Sequence, residues 1–350
     1  MKTLWYYFVK ALVKSSLFFY SKRIKVTGKE NIPKRGAVLF MVNHPNGLID
    51  PLIVAVNNPR VQHFLVRAAV FKKPLVKKFL ATLNLMPIYR IRDGVKQLGK
   101  NQEIFQQCFS ILKKQKALMI FPEGSHNRKR TIRPLSKGFT RIVFGALEQD
   151  PDLQIQIVPV GITYQNSSTY PTHISLQYGK PILANDYYFP EDQVTETKKL
   201  KEVITKQLQQ LSVHIPDDEN YHDVLNKLNK ANVDFTQVQV INNMIEIGNI
   251  TKRKKKAHLF GFLKPIIILN SLLPWLLWKY IDGKNDEIEF VDTFRFGINT
   301  ITFGLFYLIQ TYLVFVFFDW KTAAIYFVSS LVAVLLFSKF HTSSAESIPE

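Results

Sequence analysis

"GAVLFMVNHPNGLIDPLIVA", residues 36–55, sets two apolar runs on either side of a bend. The first run, Gly36 to Val42, has no polar side chain and reads as a strand buried on both faces. Pro45 and Gly47 interrupt regular structure before the second run begins. His44 stands just after the first run and Asp50 just before the second. A bend that only turned the chain needs neither residue. On a local reading, Asp50 caps a helix and His44 is a bystander; on a chemical one, the carboxylate holds an imidazole.

The same pattern continues downstream. "ALMIFP" (117–122), "IQIVPVGITY" (155–164) and "HISLQYG" (173–179) read as strands, and 95–115 and 136–149 as amphipathic helices. Alternation of this kind predicts an α/β domain over residues 25–190, with a mixed, largely parallel central sheet flanked by helices. Residues 192–232 are charged and helical in pattern. With the basic run "KRKKK" (252–256) they suggest a helical arm and linker over 191–257.

The two ends differ from this domain. In residues 4–20, Trp5, Phe8, Val9 and Leu12 line one face and Lys10 and Lys14 the other. The expectation is an interfacial helix within residues 1–24, rather than a span or a cleaved signal. Gly297 to Phe318 is a run of 22 residues without a charge, and Thr322 to Ser338 another of 17. At about 1.5 Å per residue the first can cross a hydrocarbon core of roughly 30 Å. Only Asp319, Trp320 and Lys321 separate the two, so a helical hairpin is expected over 297–338. The apolar segment 259–281 is broken by Lys264, Pro265, Asn270 and Pro274. Such breaks place it in the interface or against other helices, within a membrane region spanning 258–340.

The chain carries 46 basic and 27 acidic residues, a net charge of +19, which favours a polyanionic partner. Nucleic acid, an anionic membrane surface and a phosphorylated substrate all fit that charge. The basic run 252–256 directly precedes an apolar segment, the arrangement of a cytoplasmic membrane anchor, and no nucleic-acid module is recognisable. The single cysteine, Cys108, excludes an intrachain disulfide and a thiolate metal cluster. It shares helical spacing with Ile104, Phe105, Ile111 and Leu112, which marks a buried structural thiol.

Two further stretches carry charge next to apolar runs. "MPIYRIRDG" (86–94) presents Arg90 and Arg92. "IFPEGSHNRKRTIRPLSKG" (120–138) leaves a strand, turns through Pro122 and Gly124, and then offers Ser125, His126, Arg128, Lys129, Arg130, Arg133 and Lys137. A glycine turn with backbone amides and several cations is what a phosphate site requires.

Taken in order, His44 with Asp50, "MPIYR", "FPEGS" (121–125) and "IVPVGIT" (157–163, centred on Pro159) resemble the four blocks of the phospholipid/glycerol acyltransferase family, of glycerol-3-phosphate and 1-acylglycerol-3-phosphate acyltransferase type. The resemblance covers roughly residues 25–180. Five residues separate His44 from Asp50 where the family usually has four, and the FPEG block runs on as Ser125-His126-Asn127-Arg128. Both features look like the branch that holds eukaryotic-type glycerol-3-phosphate and dihydroxyacetone-phosphate acyltransferases and their bacterial relatives.

The resemblance implies that His44 is the general base and that Asp50 holds its far ring nitrogen. It implies that Arg90, Glu123, Gly124 and Ser125 bind the phosphate and glycerol of the acceptor, with Arg128 and Lys137 as further phosphate candidates. Arg92 would be a solvated neighbour and His126 a hydrogen-bonding turn residue. It implies no metal and no cofactor, acyl-CoA or acyl carrier protein as donor substrate, and membrane lipids and a glycerol-phosphate acceptor as partners. The expected activity is that of a membrane-bound O-acyltransferase, with glycerol-3-phosphate as first acceptor and lysophosphatidate as second. The alternatives are transfer to another lyso-lipid such as an aminolipid, or a catalytically silent membrane tether. An intact set of His44, Asp50, Arg90 and Glu123 argues against the tether. The donors are cytoplasmic, so the catalytic domain and both termini are expected on that side, anchored by a hairpin or several passes.

Overall fold

In the computed structural model, residues 2–90, 99–253, 260–284 and 291–341 are described. Eight strands form one sheet: β1 (Arg23–Thr27), β2 (Ala37–Val42), β3 (Gln62–Arg67), β4 (Leu85–Ile88), β5 (Ala117–Ile120), β6 (Ile155–Tyr164), β7 (His173–Tyr178) and β8 (Ile182–Leu183). Their order is β1-β7-β6-β2-β5-β3-β4, with β8 beside β6. Five of the seven pairings are parallel; β6 pairs antiparallel with β7 and β8. The sheet is therefore mixed and largely parallel, as the alternation of runs predicts.

All six residues of β2 are buried because both faces of the strand are covered. Ala37, Leu39 and Met41 face one apolar cluster, and Val38, Phe40 and Val42 the other, the two-residue alternation of a strand. On the first face lie α4 (Asn101–Lys113), α5 (Gly138–Gln149) and α6 (Gln193–Leu211). On the second lie α1 (Lys2–Tyr20) and α2 (Ile49–Asn57). Cys108 is wholly buried on α4, and burial pushes its thiol up to about 12, which rules out a nucleophile.

One expectation needs revision. The segment 191–257 is not a surface arm throughout. Leu200, Ile204 and Leu208 of α6 have no exposed surface and complete the first-face core. Only residues after 212, with α7 (Tyr221–Lys230) and α8 (Val238–Ile247), form a cluster of their own, centred on Ile215, Leu228, Phe235 and Val238. On α1 the face that carries Trp5, Phe8 and Leu12 points away from the domain. Tyr6, Leu17 and Tyr20 turn inward, while Leu4, Trp5, Phe8 and Leu12 are exposed. Part of 95–115 and of 252–256, together with Arg92, lies outside the described residues.

The C-terminal region holds α9 (Leu263–Asn270), α10 (Leu272–Asp282), α11 (Val291–Phe317) and α12 (Trp320–Phe340). The last two, of 27 and 21 residues, are long and apolar enough to cross a bilayer. Many of their apolar side chains are exposed, among them Leu305, Leu308, Phe315 and Ile325. At the tip, Asp319 caps α12 by accepting the amides of Lys321 at 2.7 Å and Thr322 at 3.0 Å. Of the polar residues that break 259–281, Asn270 is satisfied by the hairpin, as is the neighbouring Ser271. Asn270 donates to Ser330 at 3.3 Å and accepts Tyr326 at 3.1 Å, and Ser271 meets the Tyr307 hydroxyl at 2.8 Å. Both roots of the hairpin return to the α/β domain. Lys339 donates to the Ser21 carbonyl at 2.8 Å, and Leu48 donates its amide to Thr293 at 2.9 Å.

The approach of α6 to β6 depends on Gly161. A Cβ there would stand 2.1 Å from the Leu211 carbonyl oxygen, which is backbone and cannot swing aside. Gly161→Ala is therefore expected to destabilise the domain by about 1–3 kcal/mol, as overpacking does. Thermal unfolding of the detergent-solubilised protein measures this, and an unchanged midpoint would contradict the tight contact.

Candidate active site

The parallel strands β2, β3, β4 and β5 all point one way, so the segments leaving their C-terminal ends share one edge of the sheet. In open α/β sheets that edge is where ligands bind. His44 follows β2, Arg90 follows β4, and the turn at 121–125 follows β5.

Asn43 fixes how the chain leaves β2. Its amide group donates to the Ile162 carbonyl at 3.0 Å and accepts the Ile162 N–H at 2.7 Å, prolonging the β2–β6 ladder by one residue. Pro45 to Leu48 are non-helical, and α2 starts at Ile49. This bend absorbs the additional residue between His44 and Asp50, and the pair still meets, with Nδ1 to Oδ2 at 2.8 Å. Asp50 is in the first turn of α2, yet its oxygens face back into the bend. It accepts the Asn46 N–H at 2.7 Å and the Tyr164 hydroxyl at 2.6 Å. A carboxylate already taking two donors takes a third from the ring, so Nδ1 carries the proton and Nε2 is left as the basic nitrogen.

Burial governs the electrostatics. Asp50 has no exposed surface and the His44 side chain 14%. Burial pushes the Asp50 carboxyl up, opposed by Tyr164 and Asn46. Burial pushes the imidazole down to about 3, against the pull of Glu123 and with the push of Arg133. His44 is therefore neutral at neutral pH.

The turn after β5 supports this ring. Phe121 stacks on it with centroids 3.9 Å apart, and His126 stands edge-on at 5.7 Å. Gly124 takes φ 76°, a left-handed conformation that suits glycine. Glu123 accepts the His44 N–H at 3.2 Å and Arg133 Nε at 2.8 Å, and Arg133 reaches the Ser125 hydroxyl at 2.9 Å. Glu123 and Ser125 thus hold the turn together through Arg133. Asn127 donates its amide to the His44 carbonyl at 2.9 Å.

His44, Glu123, Arg128 and Lys129 line one pocket at this edge, with Tyr164 and Ser167 behind. Arg90 and Lys137 are not among the residues lining it. Counted across the ladder, Ile88 is level with Asn43, so Arg90 leaves β4 near the level of the His44 bend. It does so three strands away, about 14 Å at roughly 4.8 Å per strand. Lys137 is exposed just before α5. Arg130 turns inward, donating to the Tyr164 and Gln165 carbonyls at 2.9 and 3.0 Å and lying 3.7 Å over Phe235.

The arrangement provides a neutral imidazole with a fixed tautomer beside a basic-walled pocket, which can take a proton from a hydroxyl bound there. Sequence reasoning missed Asn43, Asn46 and Tyr164, and noted Arg133 only as one of the turn's cations, not as the partner of Glu123. Tyr164 closes an apolar strand run and Asn46 sits inside the bend, so neither carries a signal apart from its partner.

Residues 23–163 match the family model described as Acyltransferase. A segment of 167 residues is 29% identical to glycerol-3-phosphate O-acyltransferase 2 of Saccharomyces cerevisiae, covering 47% of this chain and 21% of that protein. Another of 130 residues is 28% identical to 1-acyl-sn-glycerol-3-phosphate acyltransferase of Borreliella burgdorferi, covering 37% of this chain and 50% of the relative. The chain thus matches about a fifth of the yeast protein's length and half of the bacterial one's. The crystal structure of the 1-acyl-sn-glycerophosphate acyltransferase PlsC of Thermotoga maritima aligns with a TM-score of 0.45 at 17% identity, over 62% of this chain and 83% of that one. The His44–Asp50 pair and the Phe121–Ser125 turn both lie within the matched segment, and residues 23–163 are an acyltransferase-family domain.

Proposed function

We infer that the chain is a membrane-bound O-acyltransferase. It moves a fatty acyl group from the thioester of acyl-CoA or acyl carrier protein to a glycerol-phosphate acceptor. Glycerol-3-phosphate is the first choice of acceptor and lysophosphatidate the second; relatives carry both names. The observation that carries this reading is the His44–Asp50 pair at 2.8 Å, with Nε2 left for substrate in a pocket walled by Arg128 and Lys129.

The acceptor hydroxyl gives its proton to His44 Nε2 as its oxygen attacks the thioester carbonyl. The tetrahedral intermediate collapses, the C–S bond breaks, and the thiolate takes the proton back from the imidazolium. Asp50 holds the ring and stabilises the imidazolium that forms between these steps. Arg128 is placed for the phosphate, Lys129 stands beside it paired with Asp217 at 2.7 Å, and Arg90 leaves β4 at the same edge.

The membrane reading follows from α11 and α12. Both of their domain-side ends return to the α/β domain, so the connection at Asp319 is distal, about 40 Å away for 27 residues at roughly 1.5 Å each. The catalytic domain and both termini then share the cytoplasmic side. Cys108 is buried and silent to an impermeant thiol reagent, so single cysteines at Asn127 and Trp320 test the orientation in intact cells. Position 320 is expected to label and position 127 only after lysis; the reverse pattern would overturn the orientation.

His44→Ala is expected to lower turnover a hundredfold or more, about the contribution of a general base, with folding intact. Purified protein assayed with labelled acyl-CoA and each acceptor measures it, and near-normal activity would remove the mechanism.

The pH profile tests the ring's environment. Because burial lowers the His44 pKa, the basic form persists as pH falls through 6.5. The acid limb of kcat/KM is therefore expected below the ordinary histidine value, and a limb centred at or above 6.5 would contradict a buried neutral base.

A further inference from the structure

Between β3 and β4 the chain makes an excursion that the proposed chemistry does not use. Ala68–Phe71 form a short turn of helix, and Pro74–Thr82 form α3. Neither buries a residue, although α3 contains Leu75, Val76, Phe79 and Leu80. Leu75 is 81% exposed, Phe79 51% and Val70 42%. Leu75 and Phe79 lie one turn apart on one face, while half-buried Val76 and Leu80 turn toward the protein. Around the exposed pair stand Lys72, Lys73, Lys77 and Lys78, all exposed, and among the described residues none of them forms an ion pair. An apolar face left in water beside four unpaired cations has the composition of an interfacial anchor.

The neighbouring helix indicates the occupant. Trp5 of α1 donates its indole N–H to Thr82 at the end of α3 at 3.0 Å. Leu4, Trp5, Phe8 and Leu12 of α1 are exposed in turn. The two helices therefore present adjoining apolar surfaces, and the cations belong to α3. We propose that α3 is a charge-selective membrane contact: Leu75 and Phe79 enter the headgroup region of a bilayer while Lys72, Lys73, Lys77 and Lys78 bind the phosphates of anionic lipids. With α11 anchoring the other side of the domain, this contact tilts the β3–β4 end of the sheet edge, where Arg90 emerges, onto the lipid surface. The proposal rests on the membrane-bound reading above and deepens it.

The test uses the full chain reconstituted in nanodiscs of phosphatidylcholine, alone or mixed with phosphatidylglycerol. Leu75→Cys carries an environment-sensitive fluorophore, Phe315→Cys on α11 serves as membrane control, and Glu202→Cys on α6 as water control. Expected is a blue-shifted emission at position 75, quenched by nitroxide lipids, in the anionic discs and much weaker in the neutral ones. Each of Lys72→Glu, Lys77→Glu and Lys78→Glu is expected to lower the ratio of lipid-bound to free label about fivefold or more. Water-like emission at 75 in both discs, with 315 in lipid, would overturn this contact and leave the membrane anchor standing. Water-like emission at both 75 and 315 would overturn the anchor as well. A shift produced only by adding purified acyl carrier protein would make α3 a docking face for an acidic protein and overturn the lipid assignment.

Discussion

A carboxylate without exposed surface has to be given donors, and Asp50 sets that requirement for the whole site. Its donors come from separate parts of the chain: the His44 ring from the end of β2, the Asn46 amide from the bend, and the Tyr164 hydroxyl from the end of β6. They converge only if β2 and β6 are neighbours in the observed register, with Val42 opposite Val160. Asn43 secures that register one residue beyond the ladder. Losing one donor would leave a buried charge short of a bond generally worth about 1.5–3 kcal/mol, so the sheet order and the catalytic pair are specified together.

The turn after β5 shows how charge is divided between structure and chemistry. Glu123 is spent on the His44 amide and on Arg133, and Arg133 is spent on Glu123 and Ser125. Of the consecutive cations 128–130, Arg130 points inward and fastens the turn to the Phe235 cluster, while Arg128 and Lys129 line the pocket. The segment after α6 holds the same stretch from outside, with Ile215 donating to the Arg130 carbonyl at 2.7 Å. A run that reads as uniformly basic thus contains one inward structural arginine, one lysine paired with Asp217 at 2.7 Å and one arginine on the pocket wall.

The strands were legible because central parallel strands are apolar on both faces and leave unbroken runs; 155–164 coincides with β6. Strands β1 and β3 mix polar and apolar residues and β4 is only four residues long, so their sequence lacked that signal. His44, Asp50 and the FPEG turn were legible because polar residues at the ends of such runs stand out. Tyr164 was not, since it acts on Asp50 from a distant strand; Asn46 serves Asp50 through a backbone amide that any residue but proline carries, and Arg133 stood among other cations with nothing to mark it as the partner of Glu123. On α1 one of the two lysines Lys10 and Lys14 faces the domain. Lys10 is held by the Asn58 carbonyl, so on that helix charge does not mark the solvent side.

A boundary drawn where the membrane region begins passes through the site instead of beside it. Asn46 donates to the Ser167 carbonyl at 3.0 Å and to Asp292 of α11 at 3.4 Å, while its own amide serves Asp50. Tyr20 of α1 donates to the same Asp292, and Arg295 bridges it to the Ser168 carbonyl at 3.0 Å and lies over Trp278. The buried end of α11 is therefore tied to the bend, whose Asn46 serves two carboxylates, Asp50 through its backbone amide and Asp292 through its side chain. This joint explains why the first turn of α11 is polar when the remainder is apolar. It also keeps His44 close to the root of the hairpin, two residues along the chain from Asn46.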